Sequence, residues 1–345
     1  MQIDSPLFDL DIIGTENTSV LKLNNTQMVC KGTREYCLST REEILSNRGF
    51  TLPENWDLKW NFHTKSTWTP SQIGGTKLGC HLTPASYSLS TDESNPEDVT
   101  EWDDVTVNDI KFLPLSATTA PHEANEITTN SASFKGVQFD RTNDILKADD
   151  LADAGVFGSG TDRFLFYFFI KHTDTVTSGE RYIFSSDTTR DWALAIDPTD
   201  IGGGTTNRAF HVYKNGSILL DTGMAHMAWS TGAYQIIGCG WQGQYEILKL
   251  NGGGNLGDES TISSINVAPA QDMFLGARQN ALGGRLSGTQ WGGTIYEMIY
   301  VRDHDAADTP TICEKIEGYL AHKYGQASLL PNTHTYKDHP PRGVT

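Results

Sequence analysis

Phe164-Leu-Phe-Tyr-Phe-Phe-Ile170 is the stretch that decides the fold, and it is the longest unbroken apolar run of the chain. It is apolar at both alternating positions, which suits a central strand that is buried on both faces of a sheet. Seven residues are also far fewer than the ~20 that a helix needs to span a bilayer. The run therefore predicts a buried β-strand and no membrane insertion.

Shorter strand candidates follow this run along the chain. Residues 208–213 and 217–220 flank Lys214-Asn-Gly216, and Asn-Gly supplies the positive φ angles of a type I′ hairpin turn. The other candidates are rich in apolar and β-branched residues and lie at 182–185, 192–196, 234–237, 245–250, 273–276 and 294–301. Glycine pairs and triplets lie between them. Short strands separated by glycine turns predict an all-β sandwich.

Two helices are predicted around these strands. Ser39-Thr-Arg-Glu42 has the pattern of a capping box, and Gly49 suits a helix stop, so we expect a short helix at about 40–48. In the second, Thr309-Pro310 fits the N-cap and first helical position. Ile312, Ile316, Tyr319 and Leu320 then fall on one face, and Gly325 marks the stop. This helix, at about 310–324, should pack on a sheet edge or on the side of the sandwich.

Composition sets the protein class and the domain boundary. The 345 residues hold 26 Lys and Arg against 43 Asp and Glu, a formal net charge of −17, which disfavours a nucleic-acid partner. The five cysteines are odd in number and mostly far apart, which favours reduced thiols. The first residues show no secretory signal. Residues 1–66 lack strand alternation and are interpreted as an attachment or oligomerisation segment, and residues 67–345 as the sandwich domain.

Residues 92–109 form an acidic stretch with eight carboxylates and no Lys or Arg. Such a stretch is typical of a solvated loop. Calcium is the sharper alternative, since it prefers carboxylate oxygens, and Asp98, Asp103 and Asp104 are its candidate ligands. No other cofactor is indicated.

Catalytic motifs are weak throughout the chain. Gly238-Cys-Gly-Trp-Gln-Gly243 matches a dinucleotide fingerprint, but a strand rather than a helix is predicted to follow it. Residues 101–106 begin like the catalytic strand of retaining sandwich glucanases, yet Thr106 stands where the acid/base is needed. Glu297, within a predicted strand, is interpreted as a structural carboxylate. The sequence thus predicts no enzyme, with a glycoside hydrolase kept as an alternative.

Tryptophans beside small polar residues are the better indication of a binding site. Trp241 and Trp291 are expected in rim loops, where an indole face could stack on a sugar ring. Arg278 and Asn280, in the loop between them, would donate hydrogen bonds. The alternative is that these tryptophans close the ends of the sandwich core.

The C-terminal region resembles a known family. The relevant motifs are Trp291-Gly-Gly-Thr-Ile-Tyr-Glu-Met-Ile-Tyr-Val-Arg-Asp303, Ile316-Glu-Gly-Tyr-Leu-Ala-His-Lys-Tyr-Gly325, Leu330-Pro331 and His339-Pro-Pro341. They are similar to the concanavalin A-like, LamG-type jelly-roll domains of marine bacterial surface proteins and phage virion proteins. The resemblance covers about residues 67–341. The family's usual opening strand appears only as Leu78-Gly-Cys-His-Leu-Thr83.

This resemblance implies a jelly roll of two stacked antiparallel sheets with a C-terminal helix. The resemblance does not settle function, but an outward-acting fold without a secretion signal favours a non-enzymatic phage virion protein, either a head-surface decoration or a tail or fibre component, assembled in the host cytoplasm. Residues 1–66 would bind capsid or tail proteins, the chain would form a homo-oligomer, and the jelly roll would face outward to bind a cell-surface glycan. The alternative, since the same fold serves many functions, is an extracellular bacterial carbohydrate-binding adhesin module.

Overall fold

The computed structural model divides the chain into two compact units, Met1–Trp68 with Arg342–Thr345, and Thr69–Pro341. The structure describes residues 2–4, 9–12, 60–63, 67–73, 77–124, 127–129, 133–148, 163–173, 179–186, 192–197, 209–214, 217–221, 232–241, 246–254, 272–278, 286–302 and 308–343.

The first unit contains a small antiparallel sheet. Its strands are β1 (Gln2–Asp4), β2 (Asp9–Ile12) and β3 (Trp60–His63), in the order β1-β2-β3. Ile12 pairs with Trp60, so the sheet joins the first residues of the chain to residues 60–63. Strands were not expected here, because the sequence shows no clear alternation. The helix predicted at about 40–48 lies outside the described residues.

The second unit is built mainly of antiparallel strands. They are β4 (Leu78–Leu89), β5 (Val99–Asp104), β6 (Lys111–Pro114), β7 (His122–Glu123), β8 (Ile127–Thr128), β9 (Ser133–Phe134), β10 (Val137–Asp140), β11 (Leu146–Ala148), β12 (Phe164–His172), β13 (Arg181–Ser186), β14 (Trp192–Asp197), β15 (Ala209–Lys214), β16 (Ser217–Asp221), β17 (Tyr234–Trp241), β18 (Glu246–Leu250), β19 (Met273–Leu275) and β20 (Gly292–Arg302). The order along the large sheet is β16-β15-β14-β13-β19-β11-β6-β5-β4-β20-β12-β17-β18, with β10 pairing β20 and β7.

Strand β12 lies between β20 and β17 and is buried on both faces, as its sequence predicts. One set of alternate side chains, which includes Phe166 and Phe168, belongs to the main hydrophobic core. The other set faces the opposite side, where the Tyr167 hydroxyl donates to Glu317 and the Phe169 ring stacks on Tyr324 at 4.2 Å between centroids. An all-apolar strand is therefore needed because one face lines the core and the other meets the C-terminal helix.

The large sheet curls so that its two halves pack face to face. Strands β12 and β13 are far apart in the hydrogen-bonded order, yet the Phe184 ring of β13 lies 4.9 Å from Phe166 and 5.4 Å from Phe168. Such ring contacts add to the burial that drives sheet packing. The all-β sandwich predicted from the sequence is confirmed.

Helix α1 (Thr309–Lys323) packs on the outer face of this sandwich. Its N-cap is Asp308, one residue before the predicted Thr309, and Pro310 lies in the first turn as expected. Ile316 and Leu320 are fully buried. The predicted helix and its buried face are thus confirmed, with a boundary that differs by one residue.

Two buried glutamates connect the helix to the sheet. Glu297 of β20 is 0% exposed. Its carboxylate accepts hydrogen bonds from Lys323 Nζ and Tyr324 Oη at 2.6 Å each and from Tyr319 Oη at 3.0 Å. His81 Nε2 lies 2.6 Å from the same carboxylate. Burial raises the pKa of Glu297, but Lys323 and His81 outweigh it and hold that pKa at about 2. Glu297 is therefore a charged, fully paired carboxylate, which agrees with its predicted structural role.

Glu317 forms the second connection, and here the carboxylate belongs to the helix and its partners to the sheet and the C-terminal segment. It is also 0% exposed, and it contacts Lys249 Nζ at 2.9 Å and His334 Nε2 at 3.1 Å in addition to the Tyr167 hydroxyl. Breaking such a buried ion pair leaves an uncompensated charge, at a cost of about 3–5 kcal/mol. The motif residues Glu317, Lys323 and Tyr324 therefore fasten the helix to the sandwich.

The glycine motif at 238–243 belongs to this packing. Gly238 and Gly240 lie within β17, which pairs with β18 where a nucleotide site would need a helix. A Cβ on Gly238 would lie 2.5 Å from the Tyr167 ring, so glycine makes room for the tyrosine that reaches Glu317. This finding agrees with the rejection of a dinucleotide site.

The cysteines of the described residues are Cys80, Cys239 and Cys313, and all three are free and buried. Burial raises the pKa of Cys313 to about 11, so the thiol stays protonated at neutral pH. Within the same residues, no helix is long and apolar enough to cross a membrane.

Candidate functional site

A cleft of about 700 Å³ opens at one rim of the second unit. Its walls come from the loop after β4, the beginning of β5, the end of β6 with the turn that follows, β7, and the turn after β10. We call it the acidic cleft, and it is lined by Ser90, Asp92, Asn95, Asp98, Thr100, Leu113, Pro114, Ser116, Ala117, Thr118, Ala120, His122, Asp140, Asn143 and Asp144.

The loops around the acidic cleft are tied to one another by backbone hydrogen bonds. The Ser90 amide donates to the Asp98 carbonyl at 2.8 Å, which closes the acidic loop between β4 and β5. The Ile145 amide donates to the Thr119 carbonyl at 3.0 Å, which joins the turn after β10 to the turn after β6. The walls are therefore preformed, which lowers the entropy cost of binding a ligand.

The turn after β10 brings two aspartates to the cleft. Asp140 Oδ1 accepts from the amides of Thr142 at 2.6 Å and Asn143 at 3.1 Å, while the Asp140 amide donates to Asp144 Oδ2 at 2.7 Å. Arg141 between them has a φ of 71°, which a non-glycine residue adopts only when its surroundings impose it. Asp140 and Asp144 thus hold the turn in a tight, strained conformation.

The two carboxyls of this turn have different proton affinities. Burial, with the negative charges of Asp140 and Asp98, raises the pKa of Asp144 to about 7. Burial also acts on Asp140, but the amides of Thr142 and Asn143 stabilise its anion and lower its pKa below the ordinary value. Asp140 is therefore ionised at neutral pH, whereas Asp144 exchanges its proton near neutrality.

The cleft is negative overall. Four of its lining residues are aspartates, and none of the described residues that line it is Lys or Arg. His122 Nδ1 lies 2.8 Å from Asp98 Oδ1, and half of the His122 side chain is exposed. Arg141, which lies in the turn after β10, is not among the residues that line the cleft.

The expected calcium ligands do not come together. Asp98 precedes β5 at the cleft, and Asp103 lies five residues later, roughly 17 Å along an extended strand. Asp103 is 3.4 Å from Lys111 Nζ, whereas Asp104, on the opposite face, accepts from the His81 amide at 2.8 Å. The described residues contain no cluster of three or more side chains that could hold a metal. Residues 99–104 are also strand rather than loop.

Trp291 was expected to lie exposed at the rim, and this expectation is wrong. Its side chain is 0% exposed, its Nε1 donates to His172 Nδ1 at 3.1 Å, and its ring packs against Phe139. The alternative that this tryptophan closes the core is therefore correct, and Trp291 has no face to offer a sugar.

Arg278, another expected saccharide contact, is not among the residues that line the acidic cleft. The guanidinium of Arg278 lies 5.9 Å from the centre of the Tyr182 ring, and the backbone amide of Arg278 donates to Thr289 Oγ1 at 3.3 Å. Trp241 is the last residue of β17, opposite Phe164. Asn280 lies outside the described residues. Saccharide binding by Trp241, Arg278 and Asn280 stays a prediction.

Sequence reasoning missed Asp140, Asp144 and His122. The available signal was Asp140-Arg-Thr-Asn-Asp144 directly after an apolar, alternating segment, because Asp and Asn favour side-chain-capped turns. That pattern predicts a turn, but it does not show which other loops meet it.

The comparisons with known proteins identify no family. No family model matches the chain, and no curated protein matches it. Among solved structures, Trypanosoma rangeli sialidase in complex with 2,3-difluorosialic acid aligns over 73% of this chain and 36% of its own, with 12% identity and a TM-score of 0.44.

Two further solved structures align at similar levels. The binding domain of botulinum neurotoxin serotype D/C has 11% identity and a TM-score of 0.40 over 70% of this chain and 52% of its own. Domain 4 of AbnA, an extracellular arabinanase of Geobacillus stearothermophilus, in complex with arabinotriose, has 12% identity and a TM-score of 0.40 over 69% and 98%. This chain thus spans about a third of the sialidase and half of the toxin domain, and these similarities carry no functional conclusion.

Proposed function

We propose that this chain is a non-enzymatic binding protein whose acidic cleft takes up a saccharide and which is displayed on the surface of a phage virion. The observation that carries the binding role is the preformed cleft of about 700 Å³. Pockets for small ligands have volumes of roughly 300–1,000 Å³. The acidic cleft therefore has room for one or two sugar rings.

The lining chemistry supports a polyhydroxylated ligand. Carboxylates, the amides of Asn95 and Asn143, and hydroxyls such as those of Ser90 and Thr100 provide both acceptors and donors for sugar hydroxyls. Leu113, 42% exposed, supplies an apolar surface for the C–H face of a ring. Single sites of this kind bind weakly, so many copies on one particle would bind together.

Blocking the cleft tests the binding role. Ala117 lies exposed in a turn of the cleft wall, so Ala117→Trp should fill the cleft without disturbing the core. Val107→Trp is the matched control, because Val107 is 96% exposed at a hairpin tip and does not line the cleft. On a glycan array with multimerised protein, binding should be lost in the first variant and kept in the second. Binding that survives Ala117→Trp would place the saccharide elsewhere.

The virion location rests on the resemblance of residues 67–341 to jelly-roll domains of phage virion proteins. In this proposal residues 1–66 attach the protein to capsid or tail proteins and make it a homo-oligomer. Mass spectrometry of purified particles should detect the chain, and a variant without residues 1–66 should fail to incorporate. A chain absent from particles but found on a bacterial surface would instead favour the adhesin alternative.

A glycoside hydrolase is the second candidate, and one observation favours it. Asp144 and Asp140 lie in the same turn, and the pKa of Asp144 is raised to about 7 while that of Asp140 is lowered. Two carboxyls whose pKa values differ in this way can act as acid and base. Against it, the Asp140 carboxylate already accepts from three backbone amides, and glycosidases place their carboxylates on opposite sides of the bond. Release of reducing sugar that disappears in Asp144→Asn would establish the enzyme.

A further inference from the structure

The charge of the acidic cleft defines the class of saccharide that it can bind. Asp92, Asp98, Asp140 and Asp144 line it, and within the part of the chain that the structure describes no lysine or arginine is among its lining residues. An anionic sugar would bring a further negative charge into a concave site that already holds several. Like charges placed together in this way cost several kcal/mol in an interface. The cleft is therefore unsuited to sialic or uronic acids.

Asp144 provides a second and independent observation. It is 2% exposed, so its carboxyl is almost removed from water, yet it lines the cleft. Within the described residues, the donor that reaches this carboxyl is the Asp140 amide, at Oδ2, and no cation pairs with it. Its charged neighbours, Asp140 and Asp98, repel the anion rather than compensate it. A buried carboxylate in this position lacks the positive partner that such groups normally have.

Resting on the proposed function, we infer that the acidic cleft recognises a saccharide that carries a free amine, with the ammonium group placed against the Asp144 carboxylate. The ammonium supplies the missing positive partner and three donors for the surrounding oxygens. Sugar hydroxyls then use the remaining carboxylates, amides and hydroxyls of the walls. The ligand class is thus an amino sugar with an unacetylated nitrogen.

The test compares two ligands that differ only in that nitrogen. Short chitosan oligosaccharides and fully N-acetylated oligosaccharides of the same length are titrated into the full chain by calorimetry, in 0.15 M salt, where the screening length is about 8 Å. Short oligomers and salt are needed because the protein carries a net charge of −17 and would attract any polycation. A sialylated oligosaccharide serves as the anionic probe.

Two variants separate the cleft from the general charge. Asp144→Asn keeps an oxygen for the Asp140 amide but removes the carboxylate. Asp109→Asn makes the same change in net charge at an exposed hairpin position with a φ of 52°, which asparagine adopts as readily as aspartate. Thermal unfolding of both variants confirms that they are folded.

We expect the amine form to bind about tenfold more tightly than the acetylated form, because hydrogen bonds to charged groups are worth more than neutral ones. Asp144→Asn should remove this preference and Asp109→Asn should keep it. Equal binding of both ligands, lost in Ala117→Trp, would overturn this inference and leave the proposed function intact. A preference that persists in Asp144→Asn, or tighter binding of the sialylated ligand, would also overturn it. No binding by any ligand would overturn both.

Discussion

Replacing Asp144 by asparagine should stabilise the protein in a manner that depends on pH. The Asp144 carboxyl has an ordinary pKa of 3.8 and a pKa of about 7 in the fold. Over this interval the folded state keeps the Asp144 proton while the unfolded chain loses it. The contribution of this carboxyl to the free energy of unfolding therefore falls as pH rises from about 4 to 7 and is constant above pH 7. Each pH unit corresponds to about 1.4 kcal/mol, so the penalty reaches at most about 4 kcal/mol above pH 7. Asparagine carries no ionisable proton and escapes this penalty.

Urea denaturation of the full chain at several pH values measures the effect. Near pH 4 the variant and the parent should unfold at similar urea concentrations, and at pH 8 Asp144→Asn should be more stable by up to about 4 kcal/mol. Asp109→Asn is the control, since that carboxyl is exposed. Parallel pH profiles for the parent and Asp144→Asn would refute the argument that burial opposes ionisation here. A gain in stability on removing a carboxylate would also agree with a functional role, because binding sites often retain destabilising groups.

Three other substitutions test the packing of the sandwich. Glu297→Gln should destabilise the protein by about 3–5 kcal/mol, because it leaves the Lys323 ammonium buried without its anion. Adding Lys323→Met to the same chain should recover part of this loss, which a double-mutant cycle measured by urea denaturation would show. Gly238→Ala should lower the free energy of unfolding by about 1–3 kcal/mol, because the added methyl would overlap the Tyr167 ring. Gly254→Ala, with open space around it, should leave the stability nearly unchanged. Similar melting temperatures for the two variants would contradict this prediction. Ile316→Asp places a charge on the buried face of helix α1 and should cost several kcal/mol, so unchanged thermal unfolding would show that the helix is not part of the core.

The strands and helices that could be predicted from the sequence are those in which one local signal determines the structure. The aromatic run of β12 and the capped helix α1 each carry such a signal. Strand β4 does not, because Pro84 and its polar neighbours interrupt the alternation. In the structure the register of β4 against β5 shifts between Leu82 and Tyr87, so that region bulges around the proline. A bulge of this kind follows from tertiary pairing and not from local sequence.

The site was harder to predict than the fold, for a similar reason. The acidic cleft forms where three separate loops meet, and their meeting depends on the order of strands in the sheet. Trp291 was misplaced because Gln290 and Gly292 resemble loop residues. In fact Gly292 begins β20, and Gly293 leaves room for the indole, since a Cβ there would lie 2.3 Å from Trp291 Cζ2. Small residues beside a tryptophan can therefore indicate close packing as well as exposure.

The position of β20 in the sheet has a consequence for biosynthesis. This strand lies between β4 and β12, and its Glu297 meets His81, which is 216 residues earlier in the chain. At about 5–20 residues per second, a ribosome needs roughly 10–40 s to add the strand that completes the pairing of β4. During that interval the nascent chain exposes a strand edge and an aromatic run that can pair with other chains. We therefore expect the yield of soluble protein in a cell to depend on how well chaperones shield the nascent chain before β20 is made.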